Sequence, residues 1–174
     1  MIEAFIAAIL SIHTPAYADY EMTQGQWDEF NRMESYCLAE NVYHEARNQP
    51  LAGQMAVISV TINRVNDDRF PNTICGVVKQ GPHRPSWKGT GEMIPIRHKC
   101  QFSWYCDGKS DKIYDEETFN DLLLLTEGIV SGTFEVLDIT EGATHYHADY
   151  VEPDWAKTKT KTIEIEDHIF YRWD

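Results

Sequence analysis

Apolar residues early in the chain recur at three- and four-residue spacing. Trp27, Phe30, Met33, Cys37 and Leu38 follow a possible cap at Thr23 and predict a helix to about Arg47 with this face buried. Continuing by steps of four brings Asn41 and then Glu45 towards the same face, so Glu45 is expected to point inward. Pro50 disfavours helix at Gln49 and should end the element. A second helix is expected over Leu51–Asn66, with Met55, Ile58, Ile62 and Val65 as its stripe and Val57 and Val60 widening it. Ala52 and Gly53 near its start would allow close approach of the first helix. Asn72 or Thr73 should cap a short helix through Val77, Val78 and Lys79.

The stretch from Gly81 to Lys99 is rich in Gly and Pro and reads as a long irregular loop, of the kind that walls or covers a cleft. Trp87 within it is either a sugar platform or a cover for the core. Asp115 should cap a third long helix through Ser131, stopped by Gly132, with Phe119, Leu122, Leu123, Thr126, Ile129 and Val130 buried. Alternation from Lys159 to Trp173 predicts a strand pair turning near Glu166-Asp167.

Composition adds limits. The chain has 174 residues, enough for one domain with its own core, and 43% hydrophobic and 12% aromatic content excludes a disordered chain. A formal charge of −13 argues against nucleic acid as a partner and against steering towards anionic surfaces. Ala4 to Ile12 resembles the apolar part of an export signal, and Ala16-Tyr17-Ala18 an A-x-A cleavage site, although Met1-Ile2-Glu3 lacks a basic residue. The run is too short to span a bilayer, so no stable membrane insertion is expected. Residues 1–18 are therefore expected to be a signal or apolar arm, and 19–174 a single domain without a separate targeting module. Four cysteines suit an oxidising compartment and allow three pairings. Cys100 and Cys106 could close a small loop, leaving Cys37 and Cys75 to staple the first helix to a later one. No C-x-x-C pair suggests zinc.

Three stretches carry candidate chemistry. Glu45 lies in the last turn of the first helix, where the negative end of the dipole disfavours an anion and raises a carboxyl's pKa, as a general acid requires. The competing reading is a solvated Glu paired with Arg47. Gln101, Ser103 and Trp104, beside a possible Cys100–Cys106 bridge, offer the amide, hydroxyl and aromatic face that a sugar needs; aromatic core packing is the alternative. Asp107-Gly108 is a turn signal. In His145-Tyr146-His147, alternation puts both His on one face and Tyr146 on the other. The histidines could ligate a metal with Glu45, or hydrogen-bond a substrate or each other.

Taken in order, Tyr43-His44-Glu45-Ala46-Arg47, Gln54-Met55-Ala56-Val57, Asn63-Arg64-Val65, Phe70-Pro71-Asn72-Thr73, Gln101-Phe102-Ser103-Trp104, Asp107-Gly108, Ala143-Thr144-His145-Tyr146-His147 and His168-Ile169-Phe170-Tyr171 resemble the SleB/CwlJ family of cell wall hydrolases. The resemblance runs from about Tyr36 to Trp173. It implies a lysozyme-like α+β domain, helical with a small β-hairpin element, related to resuscitation-promoting factors and soluble lytic transglycosylases and acting on peptidoglycan glycan strands without a cofactor or metal. It implies Glu45 as catalytic acid, cutting the MurNAc–GlcNAc β-1,4 bond to leave a 1,6-anhydro-MurNAc end. Gln101, Ser103, Trp104, His145, Tyr146 and His147 are the expected substrate-binding residues. The cysteine set and the His-Tyr-His version resemble members from Gram-negative bacteria and their phages rather than spore enzymes. Phage tail or virion proteins are therefore candidate partners, and a monomer is expected otherwise. An exported enzyme, or a phage lysin carried in the virion or released for lysis, is the expected setting.

Two other classes compete. One is a metal-dependent amidase or peptidase using His145, His147 and one of His44 or His168, although no H-E-x-x-H is present. The other is a wall-binding virion component without turnover.

Overall fold

The computed structural model describes residues 21–173. The proposed signal segment therefore lies outside the described residues. Thr23 opens helix α1 (Gln24–Ala46) through a reciprocal capping box: its side chain accepts from the Gln26 backbone, and the Gln26 side chain accepts from the Thr23 N–H. Pro50 precedes helix α2 (Leu51–Val65). Thr73 caps the short helix α3 (Ile74–Val78), and Asp115 caps α4 (Glu116–Val130), where Thr118 N–H meets the Asp115 carboxylate. Gly132, at φ 75°, follows the end of α4 in the left-handed conformation glycine tolerates best.

Helix α1 is the hub, packing against α4, α2 and α3. Leu38, Val42, Val57, Ile58, Ile62, Ile74, Val77 and Val78 form the main core. Helix α2 is buried on two sides. Ala56 and Val60 face away from that core and meet Ala143 and Phe170, with Ile163 and Ile165 beside them. This double burial explains why its apolar stripe is wider than one helix–helix contact needs.

A three-stranded antiparallel sheet packs there, from β3 (His145–Ala148), β4 (Thr160–Ile165) and β5 (His168–Arg172) in the order β3-β5-β4. The expected hairpin is β4–β5, with Glu166 at φ 49° in its turn, and the His145 stretch adds the third strand. The α+β class holds. Disulfides join Cys37 to Cys75 and Cys100 to Cys106, so one staples α1 to α3 and the other closes the small loop.

Three local expectations change. The early stripe of α1 is not core: Met33 is 53% exposed, and Trp27 and Phe30 are half-buried, packed edge to face on each other. The buried face runs instead through Glu34, Leu38, Asn41 and Val42. Glu34, only 4% exposed, accepts hydrogen bonds from the Ile74 and Cys75 N–H groups at the start of α3. Its cost of burial is offset by those bonds, a pattern that counting apolar residues misses. Gly53 makes room for the Gln49 side chain in the α1–α2 turn rather than for α1 itself, and Ala52 is exposed. The Gly81–Lys99 stretch contains an antiparallel ribbon, β1 (His83–Pro85) with β2 (Met93–Pro95). Trp87, in the turn between them, is 79% exposed and covers no core.

Candidate active site

The C-terminal turns of α1 are pinned by polar contacts. The Tyr43 hydroxyl accepts from the Tyr114 and Asp115 N–H groups at the start of α4. Buried Asn41 donates to Thr61 on α2 and accepts from the Trp104 indole N–H at 2.9 Å. Both contacts fix the rotation of the helix, and Glu45 follows one turn after Asn41.

Glu45 lines a cavity of about 540 Å³. Its floor and walls include Arg64 from α2, Tyr146 and His147 from β3, and His168 from β5. Gln101, Phe102, Ser103, Trp104 and Asp107 come from the disulfide-closed loop, and Tyr150 and Val151 stand beyond β3. The Tyr146 hydroxyl donates to Glu45 Oε2 at 2.7 Å. Burial pushes the Glu45 carboxyl above the ordinary carboxylate range, while that hydrogen bond and the Arg64 charge pull it back. Burial, then the Glu45 charge, push the Tyr146 phenol well above its ordinary range, so it stays a donor.

Arg64 is 4% exposed. Its Nε donates to the Thr144 carbonyl at 2.7 Å, and its guanidinium lies between the Phe102 and Phe70 rings, 4.8 and 5.4 Å from their centroids. Burial lowers its pKa to about 10, which leaves it charged at neutral pH. His44 stacks on Trp104 with ring centroids 4.4 Å apart, and burial keeps its imidazole neutral by lowering its pKa.

Of the residues expected to bind substrate, Gln101, Ser103, Trp104, Tyr146 and His147 line the cavity with Glu45. Trp104 is both core and ledge: only 8% exposed, it keeps an edge on the cavity. His145 is not brought there. Alternation turns its ring away from Tyr146, towards Phe70, Trp155 and Trp173. His147 shares Trp155 with it, stacks on Tyr171 and lies 3.0 Å from the Tyr171 hydroxyl through Nε2. A second cavity of about 520 Å³ shares His147, Tyr150 and Val151 with the first. Asp107 is on the cavity wall, whereas Glu40 is not. Among the described residues, no three His, Cys, Asp or Glu side chains converge in a way that could hold a metal ion.

Sequence reasoning missed Arg64 as a site residue. Its place in the last turn of α2, between Asn63 and Val65, gives no local sign of burial, because its partner Thr144 lies 80 residues away.

The sequence pattern of the family described as Cell Wall Hydrolase matches residues 48–171. The chain belongs to the cell wall hydrolase family. Arg64, Gln101, Trp104, Tyr146 and His168 lie inside the matched range, and Glu45 just ahead of it. The spore cortex-lytic enzyme of Halalkalibacterium halodurans is 28% identical over 134 residues, 76% of this chain and 33% of that protein. The spore cortex-lytic enzyme of Bacillus subtilis is 43% identical over 49 residues, 28% of this chain and 16% of that protein. The chain thus spans a third or less of the length of these two curated relatives. The crystal structure of the Bacillus cereus SleB catalytic domain superposes with a TM-score of 0.54 at 25% identity, covering 91% of this chain and 98% of that one. The catalytic domain of the germination-specific lytic transglycosylase SleB from Bacillus anthracis gives 0.53 at 26%, covering 89% and 100%. The SleB-type resemblance and the lysozyme-like fold both hold for this cell wall hydrolase.

Proposed function

We propose that this cell wall hydrolase cleaves peptidoglycan glycan strands at the MurNAc–GlcNAc β-1,4 bond as a lytic transglycosylase, with Glu45 as the general acid and base. The observation that carries the reading is a partly buried carboxyl in a large cavity, with pKa raised by burial and orientation set by Tyr146. A Glu whose hold on its proton is strengthened by burial can deliver that proton to a glycosidic oxygen.

In this reaction the Glu45 proton goes to the bridging oxygen as the C1–O bond breaks, and the bonding pair leaves with that oxygen. The muramyl ring passes through an oxocarbenium-like state. Its own C6 hydroxyl then attacks C1, and the C6 proton passes to the Glu45 carboxylate, which restores the acid. Gln101 and Ser103 supply polar groups for sugar hydroxyls, and the Trp104 edge supplies an apolar contact. The strand continues past His147, Tyr150 and Val151 towards the second cavity.

The substrate lies outside the cytoplasm, so the reading includes export through residues 1–18. A lysin carried by or released with a phage would use the same chemistry. A second outcome is supported by Asp107, which shares the cavity wall: a water activated there would give hydrolysis and a reducing end instead.

The test is mass spectrometry of purified peptidoglycan digested by the protein and by Glu45→Gln. Anhydro-MurNAc ends that fall on the order of a hundredfold in the variant are expected. Reducing MurNAc ends would make the enzyme a hydrolase with the same acid. Intact glycans with cleaved stems, or full activity in folded Glu45→Gln, would overturn the assignment.

A further inference from the structure

Arg64 is a buried cation that no carboxylate among the described residues contacts directly. Its Nε is taken by the Thr144 carbonyl, its faces are covered by Phe70 and Phe102, and its Nη1 is buried without a hydrogen-bond partner. Removing a guanidinium from water is costly unless an anion offsets it. A Met or Leu would fill the same space without that cost, so the charge calls for an explanation. After burial, the electrostatic influences on Arg64 come from Tyr146 and then from Glu45, and Tyr146 donates a hydrogen bond to Glu45. Arg64 and Glu45 line the same cavity from different helices.

We propose that Arg64 is a positioning residue for Glu45: its fixed buried charge keeps the carboxylate form accessible between the two proton transfers. This inference rests on Glu45 being the acid of the reaction. A buried Glu with no countercharge would give up its proton only at high cost and would stall after the first transfer. A Glu in direct contact with Arg would hold no proton to give. A cation that lines the same cavity without touching the carboxylate lies between those extremes, while Tyr146 holds the carboxylate in place. The other titratable groups around Glu45 are His44, His147, His168 and Asp107.

The test reads Glu45 itself, without substrate. The side-chain carboxyl of Glu45 is followed by carbon NMR against pH in the full chain, in Arg64→Met and in Arg64→Lys. The midpoint should rise by about one pH unit or more in Arg64→Met and return most of the way in Arg64→Lys. An unchanged midpoint in folded Arg64→Met overturns the proposal while leaving the glycan reading intact. Glycan strands left uncleaved by the wild type would instead overturn that reading and leave the coupling standing. If Arg64→Met does not fold, Arg64→Gln is titrated in its place: a Glu45 midpoint above that of the wild type supports the proposal, and an unchanged one overturns it.

Discussion

The Tyr146 hydroxyl reaches Glu45 Oε2 at 2.7 Å across a sequence separation of 101 residues. It donates to the carboxylate and so stabilises the charged form. Tyr146→Phe keeps the ring packed against Phe170 and His168 but removes the donor. The Glu45 pKa should rise, which moves the alkaline limb of the glycan-cleavage profile to higher pH. The maximal rate should fall roughly tenfold, because the carboxyl loses its fixed orientation. Rates of soluble muropeptide release measured from pH 5 to 9 check both parts, and an unshifted limb would contradict the first.

Acid should destabilise the protein through His145. Burial, helped by the positive charges of Arg64, Lys159 and Arg69, lowers its pKa to about 3. The unfolded chain takes up a proton near pH 6.5, and the folded one refuses it until about pH 3. Stability from this group is therefore complete at neutral pH and is lost as pH falls through that window. Glu34 and Glu45, with carboxyls raised by burial, act in the opposite sense at the acidic end. His145→Phe separates them. The drop in melting temperature from pH 7 to pH 4 should be several degrees smaller in the variant, for a contribution of roughly 1–2 kcal/mol after solvent screening. Equal drops would remove His145 from the account.

Reduction should be costly mainly through one bridge. Cys37–Cys75 spans 38 residues and ties α1 to α3, while Cys100–Cys106 spans 6. Loop-closure entropy grows with span, so Cys37→Ser with Cys75→Ser should lose about 2–4 kcal/mol and the other pair less. Urea unfolding of the two double variants makes the comparison. Loss of the shorter bridge should instead affect glycan binding, because its loop carries Gln101, Ser103 and Trp104 into the cavity.

Much of this was legible where the signal is local. Thr23, Thr73, Asp115 and Pro50 announce helix starts by chemistry that needs only a few neighbours. Steps of four along α1 brought Glu45 inward, and the two-residue period of β3 separated Tyr146 from His145. His147, on the same strand face as His145, does line the cavity; His145 misses it because its ring packs among Phe70, Trp155 and Trp173, contacts from distant segments. Arg64 and Glu34 were not legible as site and core, since the partners that make their burial tolerable come from distant segments. The β1–β2 ribbon was lost because three-residue strands leave too little pattern in a Gly- and Pro-rich stretch.

Strand β5 lies between β3 and β4, so both outer strands hydrogen-bond to the segment that follows them in the chain. Translation delivers Glu45, Arg64 and Tyr146 well before residues 168–172 leave the ribosome. Until then β3 lacks its strand partner, and only the chain just before it is tied to α2, through Asn63 and Arg64. A stalled nascent chain thus carries Glu45, Arg64 and Tyr146 before the sheet that frames their cavity exists. Competence arrives only when synthesis has passed Arg172.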